Sequence, residues 1–180
     1  IVNGLVGSEM CIRDSIFPGS FNPLHEGHLK MKELAEKKTG MHTTFEICAK
    51  NADKPPLTFY EIKRTIDQFQ NDESWMLTSA GRFSEKVEMF PNSVFIIGAD
   101  TLLRVFDEKF YKSHKDMMEH IQRFNDHNIN FLVFGRKVNK KFISLDKIKV
   151  PEIIKSRCTG FEEASFRDDI SSTELRLTKD

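Results

Sequence analysis

Two histidines, His25 and His28, stand three positions apart at the end of the stretch Gly19–His28, GSFNPLHEGH. Residues at i and i+3 of a helix share a face, so both imidazoles meet at the mouth of the helix expected to start there, and Gly27 between them adds no bulk. Gly19 lets the backbone approach a ligand closely. A helix beginning near Pro23 presents its first N–H groups and the positive end of its dipole. An anion, most simply a phosphate, suits that place. Other uses of such residues are excluded by spacing. A zinc protease needs HExxH where this chain has HExH, and neither GxGxxG nor GxxxxGK[ST] occurs.

A second group lies near the other end, ISSTELR over Ile170–Arg176. Ser171 and Glu174 have capping-box spacing, so Ser172 and Thr173 fall in a first helical turn with hydroxyls and N–H groups available to phosphate. Arg176 adds a planar fork suited to phosphate oxygens. Between the two groups, Lys54 precedes Pro55-Pro56, which stiffens its loop. Asp100 ends the run IGAD, where it takes ligand hydroxyls or caps the next helix, and Arg136 follows an apolar run in FGR. Trp75 and Phe83 are aromatic residues beside strands and read as core.

The elements that must position these residues are short apolar runs alternating with amphipathic segments. Strands are predicted at Ile16–Pro18, Thr44–Ala49, Trp75–Thr78, Val94–Ile97 and Phe131–Phe134. The helix carrying the histidines is expected to take Asn22 as N-cap and Pro23 as first residue, with Leu24, His28, Met31, Leu34 and Ala35 at helical spacing. Thr58 and Glu61 form a capping box before Ile62, Ile66 and Phe69. A further helix over Lys115–Phe124 turns Met118, Ile121 and also Met117 inward. Strands separated by helices with right-handed crossovers give an α/β fold, a Rossmann-like doubly wound parallel sheet in the order 3-2-1-4-5. Ligands of such sheets settle beyond the strands' carboxyl ends where the winding reverses, here between the first and fourth strands, where both GSFNPLHEGH and IGAD end up.

Bulk properties narrow the partners. Across 180 residues, 27 basic side chains balance 27 acidic ones, which argues against nucleic acid as a standing partner. With 39% hydrophobic residues and 16 Phe, one sizeable core can form. No apolar run is long enough to span a bilayer, and the chain reads as cytoplasmic. Cys11, Cys48 and Cys158 form no CxxC, so neither a disulfide framework nor a zinc site is signalled.

The beginning has a separate reading. Gly4–Ser15, GLVGSEMCIRDS, back-translates with one codon choice into a transposon-end adapter used to prepare DNA sequencing libraries. Residues 1–15 are therefore expected to be non-native and 16–180 to form the domain.

The motifs together carry a resemblance. GSFNPLHEGH resembles the GxFxPxHxGH signature of the HxGH nucleotidylyltransferase superfamily, and ISSTELR resembles its second signature, ISSTxxR, in the same order. NADKPPL (Asn51–Leu57) and FIIGADTL (Phe95–Leu102) look like its cytidylyltransferase-like branch, which is similar to nicotinamide mononucleotide adenylyltransferases. The resemblance implies attack of an acceptor phosphate on the α-phosphorus of a nucleoside triphosphate with loss of pyrophosphate. It places catalysis on His25, His28 and Arg176, nucleotide binding on Gly19, Ser20, Phe21, Arg136, Ser172 and Thr173, and the acceptor near Lys54 and Asp100. Mg²⁺ is expected with the triphosphate, and the protein itself supplies no dedicated metal ligands. Cytidylyl transfer to a phosphorylated alcohol and a nucleotide-binding module without turnover remain the alternatives.

Overall fold

The computed structural model describes residues 14–50, 55–70, 72–138 and 141–161. Strand β1 (Asp14–Gly19) leads through the histidine loop into helix α1 (Glu26–Thr39) and strand β2 (Thr43–Cys48). Helix α2 (Phe59–Ile66), strand β3 (Trp75–Thr78), helix α3 (Phe83–Met89), strand β4 (Ser93–Gly98) and helix α4 (Ala99–Val105) follow. Helix α5 (His114–Asp126) precedes strand β5 (Asn130–Phe134) and the pair β6 (Arg136–Val138) and β7 (Lys141–Ile143). A short helix α6 (Glu152–Lys155) and strand β8 (Cys158–Gly160) complete the described elements.

All neighbours in the main sheet are parallel, in the order β3-β2-β1-β4-β5-β8. The expected 3-2-1-4-5 order is present, extended by β8. That strand has three residues and only one, Cys158, of apolar type, too little for a periodic signal. Alternate residues of the central strands face opposite layers. Ile16, Phe95, Ile97, Phe131 and Val133 pack under α3, α4 and α5, while Phe17, Phe45, Ile47, Val94, Ile96 and Leu132 pack under α1. On α5, Met117, Ile121 and Phe124 are buried and Met118 packs at the margin.

β1 starts two residues before the expected Ile16. Asp14 and Ser15 thus occupy sheet positions, and Ser15 Oγ lies 2.9 Å from Thr43 Oγ1. Residues 1–13 of the segment read as non-native lie outside the described residues.

A larger departure is the start of α1. Its N-cap is His25, not Asn22, and Pro23, joined to Asn22 by a cis peptide bond, lies in the preceding turn. The reason is tertiary. Asn22 Oδ1 accepts from Arg64 Nη2 at 3.0 Å instead of capping the helix, and Gln68 bonds the backbone at both Phe21 and Leu24. The chain cannot satisfy these partners and coil at the same time.

One buried polar contact ties α3 to the sheet. Glu46 in β2 is fully buried; both its oxygens accept from Lys86 Nζ at 2.7 Å, and it also accepts from the Thr78 hydroxyl. Removing one partner of such a pair leaves an uncompensated charge in the interior. Lys86→Met should cost about 3 to 5 kcal/mol of folding stability in urea denaturation, and the double variant Glu46→Leu/Lys86→Met should recover most of it.

Candidate active site

The site begins with the way the chain leaves β1. Gly19 has no side chain, and a Cβ there would stand 2.6 Å from Phe21 Cζ. Phe21 has positive φ (43°), and its ring is fully buried against Phe17, Phe45 and Phe69 at centroid separations of 5.4, 5.0 and 5.8 Å. The same ring meets His28 edge-on at 5.2 Å. Phe21 is therefore a core residue beneath the histidine loop, and Ser20 beside it is exposed.

At the mouth of α1, His28 takes the part that Glu or Gln plays in a capping box. Its Nδ1 accepts from the His25 backbone N–H at 3.3 Å. With Nδ1 acting as acceptor, the neutral ring carries its proton on Nε2. The His25 and His28 rings stack at 3.7 Å between centroids. Burial, then the neighbouring His25 and Arg136, push the His28 pKa down to about 3. His28 is thus a neutral donor at neutral pH, set at the positive end of a fourteen-residue helix.

Across the switch point, Asp100 lies in the first turn of α4, whose N-cap is Gly98. Arg136 opens β6, and its Nε lies 3.8 Å from Asp100 Oδ1. A Cβ on Gly98 would stand 2.4 Å from Asp100 Oδ1 and 3.0 Å from Arg136 Cγ, so the glycine makes room for the pair. The fold therefore brings His25 and His28 at the start of α1, Asp100 at the start of α4 and Arg136 at the start of β6 to one edge. Positive charge there comes from Arg136 and the α1 terminus, and half-exposed Asp100 supplies the acceptor oxygens.

A nucleotide with a phosphate-bearing partner suits such an edge, and comparison with known proteins is decisive. The family model for cytidylyltransferase-like proteins matches residues 16–178. The chain belongs to the cytidylyltransferase-like family. Membership gives the chemistry at a coarse level, nucleotidylyl transfer involving a nucleotide and a phosphate-bearing substrate. A relative from Schizosaccharomyces pombe, named "Putative nicotinamide mononucleotide adenylyltransferase", is 27% identical over 174 residues, covering 89% of this chain and 68% of its own length.

In this cytidylyltransferase-like chain, Lys54, Ser172, Thr173 and Arg176 lie outside the described residues. Trp75, read as core, is 40% exposed on edge strand β3, whereas Phe83 packs against Phe95. Among the described residues, no group of three or more His, Cys, Asp and Glu could hold a metal ion, and no helix is long and apolar enough to cross a membrane. Sequence reading missed Arg64 and Gln68. Their partners lie more than 40 positions away, and neither belongs to a local motif.

Two outcomes follow from this geometry. Gly19→Ala forces the buried Phe21 ring to move and should cost about 1 to 3 kcal/mol of stability, read by urea denaturation. Between pH 6.5 and 3 the unfolded chain binds a proton at His28 that the folded chain does not. Stability is therefore lost as the pH drops from 6.5 to 3 and regained as it rises. His28→Gln removes this component, so its stability should depend less steeply on pH there.

Proposed function

We propose that this protein transfers the adenylyl group of ATP to nicotinamide mononucleotide or a related phosphate-bearing acceptor, releasing pyrophosphate. The observation that carries the reading is the neutral, backbone-anchored His28 stacked on His25 at the N-terminus of α1. The name of the yeast relative favours adenylyl transfer and this acceptor.

In the reaction an acceptor phosphate oxygen attacks the α-phosphorus in line. The new P–O bond forms as the bond to the β-phosphate oxygen breaks, and pyrophosphate leaves. No covalent intermediate on the protein is required, so its tasks are positioning and stabilising developing charge. His28 Nε2–H donates to the phosphoryl being transferred, beside His25 and the first N–H groups of α1. Gly19 and Ser20 line the nucleotide's approach, and Arg136 faces the base. Asp100 accepts from acceptor ribose hydroxyls, its carboxylate being half-exposed and 3.8 Å from Arg136 Nε, too long for a hydrogen bond. Lys54, Ser172, Thr173 and Arg176 are assigned to the phosphates on the strength of their motifs. Mg²⁺ enters as part of the substrate, bound by phosphate oxygens and water, which asks little of protein carboxylates.

Pyrophosphate release should be measured for ATP and CTP, each paired with nicotinamide mononucleotide and with phosphorylated alcohols. ATP with the mononucleotide should be the productive pair; CTP with an alcohol would instead establish cytidylyl transfer. Tight nucleotide binding without any product would establish a binding module. His28→Ala should lower kcat about 100- to 1,000-fold, and near-normal turnover would refute its role. Chelating Mg²⁺ should abolish turnover while leaving the melting temperature unchanged.

A further inference from the structure

The turn bearing the two histidines is held by a residue from another part of the chain. Gln68, just beyond α2, donates from Nε2 to the Phe21 carbonyl and accepts at Oε1 from the Leu24 N–H, both at 2.9 Å. It also donates to the Thr65 carbonyl at 3.2 Å, which steadies its own side chain. A primary amide is the neutral side chain that donates and accepts in parallel, so Gln68 binds this turn much as a neighbouring strand would. The two backbone groups it holds flank Asn22 and Pro23, at the two ends of the turn, so the one side chain grips both of them. Leu24 immediately precedes His25, the N-cap whose N–H sets the His28 ring. The neighbours of Gln68 act on the same turn, Arg64 through Asn22 and Phe69 against the Phe21 ring.

We propose that Gln68 is a positioning residue of this site, its side-chain amide clamping the Phe21–Leu24 turn in the shape that sets His25 and His28 toward the substrate phosphates. The proposal rests on the reaction assigned above, but the clamp can be tested without it.

Gln68→Leu removes both bonds. Gln68→Glu keeps the size of the side chain and the acceptor for Leu24, yet turns a carboxylate toward the Phe21 carbonyl. Both are compared with the wild type by NMR titration of the His28 imidazole in the ligand-free protein and by steady-state kinetics. The groups facing His28, namely His25, Arg136 and the rings of Phe17 and Phe21, are the same in the wild type and Gln68→Leu, so the titration is read on that variant. Gln68→Glu adds a carboxylate of its own and is read by kinetics. Released from the clamp, His28 should titrate well above its value of about 3, toward 6.5. Turnover should fall about 10- to 100-fold, as a misplacement near 1 Å does, while KM for the triphosphate changes less than about threefold. If Gln68→Leu does not fold, Gln68→Glu decides. A folded variant with kcat within about twofold of wild type overturns the proposal. Should the wild type itself transfer nothing to any acceptor, the assigned reaction fails and the titration of Gln68→Leu decides: an upward shift supports the clamp, and an unchanged His28 overturns it.

Discussion

The candidate site depends on the closure of the Phe21 ring over Gly19. That ring is buried among Phe17, Phe45 and Phe69, which belong to β1, β2 and the turn after α2. It turns the chain out of the sheet at a fixed angle, and His28 rests against its edge. The aromatic layer under α1 and the geometry of the histidine pair are therefore one packing problem. Interiors are packed densely enough that the position of such a ring is felt by its neighbours, so the imidazole inherits the rigidity of the core.

Electrostatics follow from that burial. An imidazole pressed against aromatic rings and beside a second imidazole and a guanidinium resists a proton, and the His28 pKa drops to about 3. The protein thereby separates two tasks. His28 supplies a directional N–H without a charge of its own, while Arg136 and the α1 terminus supply the positive field. Asp100 moderates that field from the far side of the switch point. In the proposed reaction, a nucleotide carrying several negative charges meets prearranged donors there, which is how transfer of a phosphoryl-centred group gains from preorganisation.

What the sequence disclosed, and what it hid, divides along the range of the interactions. The five expected strands and their order were legible because each is a short apolar run, several of them rich in Val, Ile and Phe, and the crossovers have one hand. The cap of α2 was legible because Thr58 and Glu61 satisfy each other locally, the Glu61 carboxylate accepting from the Thr58 N–H at 2.8 Å. The start of α1 was not, since Asn22 and Pro23 look like a helix opening and only Arg64 and Gln68 reveal otherwise. Glu46 was equally hidden, its partner Lys86 lying 40 positions away. The histidine pair was recognisable as a motif, but its stacking and the neutrality of His28 required the folded aromatic layer.

In the proposed reaction the transferred phosphoryl group lies against His25 and His28 at the N-terminus of α1. A crystal structure of the complex with Mg²⁺ and a non-hydrolysable ATP analogue tests it most directly. The expected result is an α-phosphate oxygen within hydrogen-bond distance of His28 Nε2, with the base on the Arg136 side of the sheet's carboxyl edge. A nucleotide seated elsewhere, such as the groove between Met117 of α5 and residues 144–155, would contradict it.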